Sequence, residues 1–252
     1  MASKEDTSEK TEKKSDLWET VKVIFQALLI ALVLRTFLFQ PFNIPSGSMM
    51  DSLLIGDYLF VSKYSYGYSS HSFPLSAAPF SGRVWSAEPE RGDIAVFRLP
   101  SDTSQDYIKR VIGLPGDRIQ MIEGVLHING EAVQREKVED FVDTGRFGEE
   151  IRVDRYRETL PNGVSYMTLD LGPSLFDNTK VYEVPEGHYF MMGDNRDNST
   201  DSRASVGFVP FENFIGRAEI IFFSIRPGSS PWMLWKWPTE LRFNRLFTSL
   251  RT

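Results

Sequence analysis
A chain of 252 residues with 41% hydrophobic and 25% charged side chains can hold one sizeable domain with appendages and is too apolar to be disordered. A formal net charge of -6 argues against nucleic acid as the main partner, and the lack of cysteine excludes disulfides, thiolate catalysis and Cys-ligated metal sites. A membrane is the better candidate partner.

Residues 1–16 interleave Lys4, Lys10, Lys13 and Lys14 with Glu5, Asp6, Glu9, Glu12 and Asp16, and nothing among them is large enough to anchor a core. This is the pattern of a solvated tail. From residue 17 to 39, 17 of 23 residues are apolar. A helix of that length runs roughly 34 Å and spans a bilayer. The uncharged part between Lys22 and Arg35 is only 12 residues, so both cations must snorkel toward the headgroups. A buried amphipathic helix competes with this reading, as does a cleaved secretory signal. Against the signal, Phe37, Phe39, Phe42 and two prolines separate the apolar run from the small-x-small pair Ser46 and Ser48. Four lysines precede the helix, and after Arg35 the next cation is Lys63. That bias keeps the N-terminus cytoplasmic and exports everything from about residue 40.

The exported part opens with residues 41–57, centred on Ser48. Its neighbours Gly47 and Ser46 offer close substrate approach and a hydroxyl donor for an oxyanion. Pro-Ser-Gly-Ser is equally a turn sequence, so a base and a scaffold must come from elsewhere. Ser48 lies within ~30 Å of the membrane end of the helix even if the link is fully extended.

Beyond Gly56 the pattern turns to short strands, expected at 58–62, 93–99, 107–112, 125–128, 188–192 and 217–225. Asn129-Gly130 and Asn162-Gly163 mark hairpins, and Leu114-Pro115-Gly116-Asp117 a Pro-Gly turn. Residues 66–90 read as a long surface excursion and 134–180 as an inserted polar subregion. The chain closes on residues 228–252, where Trp232, Trp235, Trp237, Lys236, Arg242, Arg245 and Arg251 accompany a single Glu240. Such a stretch suits a membrane interface, and a terminal helix packed on the domain suits it as well. The fold expected is mainly antiparallel β over residues 40–227, with one N-terminal transmembrane helix and a short C-terminal amphipathic segment.

A nucleophilic serine needs a base. His71, His127 and His188 have no telling context. Lys109 is the alternative: in Tyr107-Ile108-Lys109-Arg110-Val111 it shares a strand face with Tyr107 and Val111. An ordinary lysine with pKa ~10.4 is neutral in about one molecule in 2,500 at pH 7, so burial must depress it. Arg110 beside it is expected to disfavour a second positive charge. A salt-bridging role at a sheet edge fits a Lys-Arg pair equally. The dense polar run from Gly193 to Arg203 offers Ser199 to orient an amine and Asp201 with Arg203 to brace a loop. It also reads as an Asx-turn loop, or as a calcium loop built on Asp194, Asp197 and Asp201 without a closing glutamate at EF-hand spacing.

Taken together and in order, Pro45-Ser46-Gly47-Ser48-Met49, Arg91-Gly92-Asp93-Ile94, Tyr107 to Arg110 with Gly113 to Asp117, and Gly193 to Arg203 closely resemble the sequence boxes of bacterial type I signal peptidases. The resemblance implies a membrane-anchored endopeptidase with Ser48 as nucleophile and Lys109 as base. It implies an oxyanion hole from the Ser48 amide and the Ser46 hydroxyl, Ser199 positioning Lys109, and support from Asp201 and Arg203. Phe42, Ile44, Leu53, Tyr107 and Ile108 match positions lining pockets for small side chains at the first and third residues before the cut. The partners implied are preprotein signal peptides and membrane phospholipid, with no nucleic acid, cofactor or metal. Asp51-Ser52 departs from the Pro-Thr expected there and puts a carboxylate near the site, and Ala204-Ser205-Val206 replaces an aromatic pair.

Overall fold
The computed structural model describes residues 5–73, 82–144 and 150–251. Helix α1 (Glu5–Phe37) carries the apolar stretch Trp18–Phe37, 20 residues with mean hydropathy 1.8 and almost no cover from the rest of the protein. By length and composition it can cross a membrane. Its side chains from Val23 to Leu34 are all exposed and, apart from Gln26, apolar on every side. The chain leaves it directly into the β-structure. Tyr68 donates its hydroxyl to the Phe37 carbonyl at 2.6 Å, and the Phe37 ring meets Tyr68 and Phe73 edge-on.

Among the described residues the strands form three antiparallel sheets. In the main sheet the spatial order is β1 (Phe39–Asn43), β2 (Asp57–Ser62), β15 (Phe214–Ser224), β3 (Ile94–Leu99), β4 (Asp102–Gly113), β13 (His188–Met192) and β14 (Val209–Pro210), with β16 (Thr248–Ser249) paired to β15. Pro41 is tolerated because β1 is an edge strand. A second sheet joins β8 (Gln134–Lys137), β10 (Glu150–Thr159) and β11 (Ser165–Asp170), with β9 (Phe141–Thr144) on β10. The third holds β12 (Tyr182–Glu183), β5 (Arg118–Ile122), β6 (Val125–Ile128) and β7 (Glu131–Ala132).

The turn chemistry read from sequence explains the connections. Gly116 adopts φ 84° and Asp117 N donates to Leu114 O at 3.0 Å, a type II turn with proline and glycine in their preferred places. Asn129 and Gly130 both have positive φ, as a two-residue hairpin between β6 and β7 requires. Strand β4 is central: Ile108 faces a core of Ile44, Met49, Leu53 and Leu59, while Tyr107 and Val111 face another of Phe97, Tyr189 and Phe214.

The C-terminal segment is tied down. It contains one α-helical turn, α2 (Trp237–Glu240), and two of its arginines pair with carboxylates of the domain: Arg245 with buried Asp57 at 2.6 Å, and Arg251, itself largely exposed, with Glu219. Trp232 and Trp235 remain 85% and 76% exposed. Part of the 66–90 excursion, residues 74–81, lies outside the described residues. The 134–180 subregion contributes the second sheet.

Candidate active site
Ser48 sits on a loop fixed from beneath. Ile44 and Gly56 close the loop base through backbone bonds to Asp57 O and Ile44 O at 2.9 Å each. A tight turn, with Met50 N on Gly47 O at 3.0 Å and Leu53 N on Met49 O at 2.8 Å, drops Met49 and Leu53 into the core. Leu53, expected in a substrate pocket, is fully buried there and does not line the cleft above.

Lys109 reaches Ser48 from β4, where it is registered against small Ala95. Its Nζ lies 2.7 Å from Ser48 Oγ and donates to Ile108 O at 2.9 Å, and only 3% of the residue is exposed. Burial pulls its pKa down to about 8, against the opposing pull of the Asp201 and Asp194 carboxylates. Arg110, expected to help lower it, does not act on the amine. Successive strand residues point to opposite faces, and Arg110 turns away to bond both Asp194 oxygens at 2.9 and 2.7 Å and Gly92 O at 2.7 Å. Ser52 completes that group, donating to Asp194 at 2.6 Å. Asp51 turns to Arg155 of β10 at 2.9 Å rather than to the amine.

The Gly193 to Arg203 run wraps behind Ser48. Asn195 donates its backbone N–H to Ser48 O at 3.2 Å and its side-chain amide to Gly47 O at 3.1 Å. A Cβ on Gly193 would overlap the Ser48 carbonyl oxygen and the Ser199 hydroxyl, so only glycine lets the two loops close. Asp201 is fully buried, accepts from Gly193 N at 3.0 Å and from the Arg203 fork at 3.0 and 2.8 Å. Burial alone would raise its pKa, and the Arg203 guanidinium, with the Gly193 N–H and Ser199, more than offsets this and holds the carboxylate low. Ser199 is buried beside them. Its hydroxyl faces Asp201 without a bond of ordinary geometry among the described residues, and Lys109 takes Ile108 O as its second partner.

A cleft of about 570 Å³ opens over this pair. Phe42, Ile44, Ser46, Ser48, Tyr107, Ile108 and Lys109 line it, together with Val96, Asp106, Asn198 and Thr200, which the sequence reading did not single out. Val96 could have been found by register, since it pairs with Ile108 across β3 and β4. The family model described as signal peptidase, peptidase S26, matches residues 17–223. The chain belongs to this family.

Curated relatives of this peptidase agree. It is 48% identical over 225 residues to a signal peptidase I of Rickettsia typhi (strain ATCC VR-144 / Wilmington), covering 82% of each chain. It is 43% identical over 259 residues to a signal peptidase I of Rickettsia akari (strain Hartford), covering 94% of this chain and 93% of the other. A crystal structure of a signal peptidase I from Enterococcus faecalis V583 covers 52% of this chain and 97% of its own at 27% identity, with a TM-score of 0.31, too low for the superposition to bear on the fold.

Other chemistries have less to work with in this peptidase. His127 and His188 bond the carbonyls of Val125 and Glu186, and none of the three histidines lines the cleft. The carboxylates considered for calcium are occupied by Arg110, Arg203 and, for Asp197, the Leu171 N–H at 2.8 Å. No group of three potential metal ligands forms among the described residues.

Proposed function
We propose that this chain removes signal peptides from exported preproteins at the outer face of the bacterial inner membrane, with Ser48 as nucleophile and Lys109 as general base. The observation that carries the reading is the 2.7 Å contact between Ser48 Oγ and a lysine amine buried to 3% exposure. A hydroxyl is a weak nucleophile until a base takes its proton, and an ammonium cannot be that base. With its pKa near 8, about a tenth of the Lys109 side chains are neutral at pH 7, against about one in three thousand for an ordinary lysine.

The substrate lies extended along the cleft wall formed by β1 and β4, with small side chains at the first and third positions before the cut. Phe42, Ile44, Tyr107 and Ile108 supply its apolar walls, and Leu53 packs beneath them in the core. Ser48 Oγ attacks the scissile carbonyl carbon as its proton passes to Lys109 Nζ. The Ser48 N–H and the Ser46 hydroxyl hold the resulting oxyanion. Lys109 then gives that proton to the departing amine, leaving the signal peptide esterified to Ser48. Water, deprotonated by the same amine, hydrolyses the ester. Ser199, Asp201 and Arg203 keep the loop behind Lys109 in place.

Residues 17–39 anchor the chain as a single pass, 1–16 form a cytoplasmic tail, and 40–227 form the exported catalytic domain, followed by the 228–252 segment. Membrane phospholipid is therefore a standing neighbour. The test is cleavage of a preprotein bearing an Ala-x-Ala site by the full chain in detergent, comparing wild type with Ser48→Ala and Lys109→Ala. Cleavage after the second alanine by wild type alone, with both variants folded, is expected. Retained activity in Lys109→Ala would eliminate the base, and loss of cleavage with retained peptide binding in wild type would leave a module that only binds extended peptides.

A further inference from the structure
A second cavity, of about 320 Å³, lies where α1 meets the main sheet. Its wall brings together Arg35 from the last turn of the helix, Lys63 from the end of β2, His71 and Arg98, with Leu32 one turn deeper along the helix. Among the described residues no carboxylate lines it. Asp106 answers part of the charge from outside, pairing with Arg98 at 3.1 Å.

Lys63 is the telling member. It is 4% exposed, yet its hydrogen bond runs to a carbonyl, Ser72 O, and not to a carboxylate. Burial, then the guanidinium groups of Arg35 and Arg98, press its pKa down to about 8, with Asp106 opposing. The Nδ1 of His71 is buried without a hydrogen-bond partner among the described residues. Buried Lys63 is repelled by the partly exposed Arg98 and the exposed Arg35 that face the same cavity, and the arrangement is relieved by an anion with several acceptor oxygens. Phosphate has that chemistry, and guanidinium forks match its geometry.

We propose that this cavity binds a phosphate-bearing anion, held by Arg35, Lys63 and Arg98. Its source is either the headgroup of an anionic phospholipid or free phosphate. The lipid source rests on reading α1 as the membrane anchor: Arg35 would then stand at headgroup level, with apolar Leu32 on the acyl-chain side.

The experiment takes the full chain purified in non-ionic detergent. Native mass spectrometry counts retained phosphatidylglycerol against phosphatidylcholine, and calorimetry titrates inorganic phosphate into lipid-free micelles. Lys63→Gln and Arg98→Gln are compared with wild type; Arg98 is partly exposed, so its loss spares the fold if that of Lys63 does not. Preferential retention of phosphatidylglycerol by wild type, weakened about tenfold in each folded variant, supports the site with lipid as its source. Binding of inorganic phosphate without lipid preference, weakened likewise, supports it with free phosphate. Absence of both, or retention by the folded variants at the wild-type level, overturns it. Alkaline extraction of membranes is scored separately: release of the chain removes the anchor and the lipid source, while phosphate binding still decides the cavity.

Discussion

The burial of Lys109 beside Ser48, which its proposed role as base requires, carries a stability cost. An amine whose pKa falls from 10.5 unfolded to about 8 folded opposes folding whenever the unfolded chain binds the proton more tightly. The cost is full below about pH 8 and disappears as pH rises through the unfolded value. Replacing Lys109 with methionine, apolar and of similar length, should therefore stabilise the protein at pH 7 by about 2–3 kcal/mol. Thermal unfolding of both proteins from pH 7 to 10 checks this, and the gap should close toward alkaline pH. The sequence placed Lys109 by parity and family resemblance, but it could not orient Arg110. Which face of β4 held the partner carboxylate depended on Asp194, 84 residues away in the chain.

At the scale of elements, the Ser48 loop is held from two sides, by the core beneath Met49 and by the loop after β13. That second loop is itself pinned to the inserted sheet. Arg196 bonds both oxygens of Glu158 on β10 at 2.8 and 2.6 Å, Tyr166 bonds both residues, and neither charged side chain is more than 5% exposed. Removing one partner strands a buried charge, so Arg196→Met should cost about 3–5 kcal/mol and lower activity with it. Glu158→Gln combined with Arg196→Met should be milder, which denaturant unfolding of the three variants would measure. Strands with short alternating or apolar runs between turns, 125–128 and 188–192, were legible to the residue. The inserted sheet was not. Gln134–Lys137 carries no apolar residue, and in Glu150–Thr159 the alternation of Ile151 and Val153 gives way to Asp154, Arg155, Arg157 and Glu158, so backbone pairing rather than an apolar pattern marks them as strands. Likewise β4 begins at Asp102 rather than 107 because polar Asp106 and Asp102 complete the register with β3.

Across the whole molecule, the two chain ends do different work. The N-terminal helix itself was legible from its long apolar run, while its exposure on every side became visible only once the domain was seen to leave it uncovered. The C-terminal segment was ambiguous because composition does not say which way a cation points. Its arginines serve the domain: Arg245 neutralises Asp57, which is fully buried and also bonded by Ser224 and the Leu54 N–H. Truncation after Leu241 should cost several kcal/mol and lower the melting temperature even in detergent, where no bilayer is present for the segment to miss. The proposed chemistry depends on one proton, that of Lys109. The most direct measurement is the pH dependence of kcat/KM for cleavage of an Ala-x-Ala preprotein. A neutral Lys109 as base predicts a rise of about tenfold per pH unit up to an apparent pKa of about 8, then a plateau. A profile flat from pH 6 to 9, or the same limb in a Lys109→Ala variant that still cleaves, would contradict it.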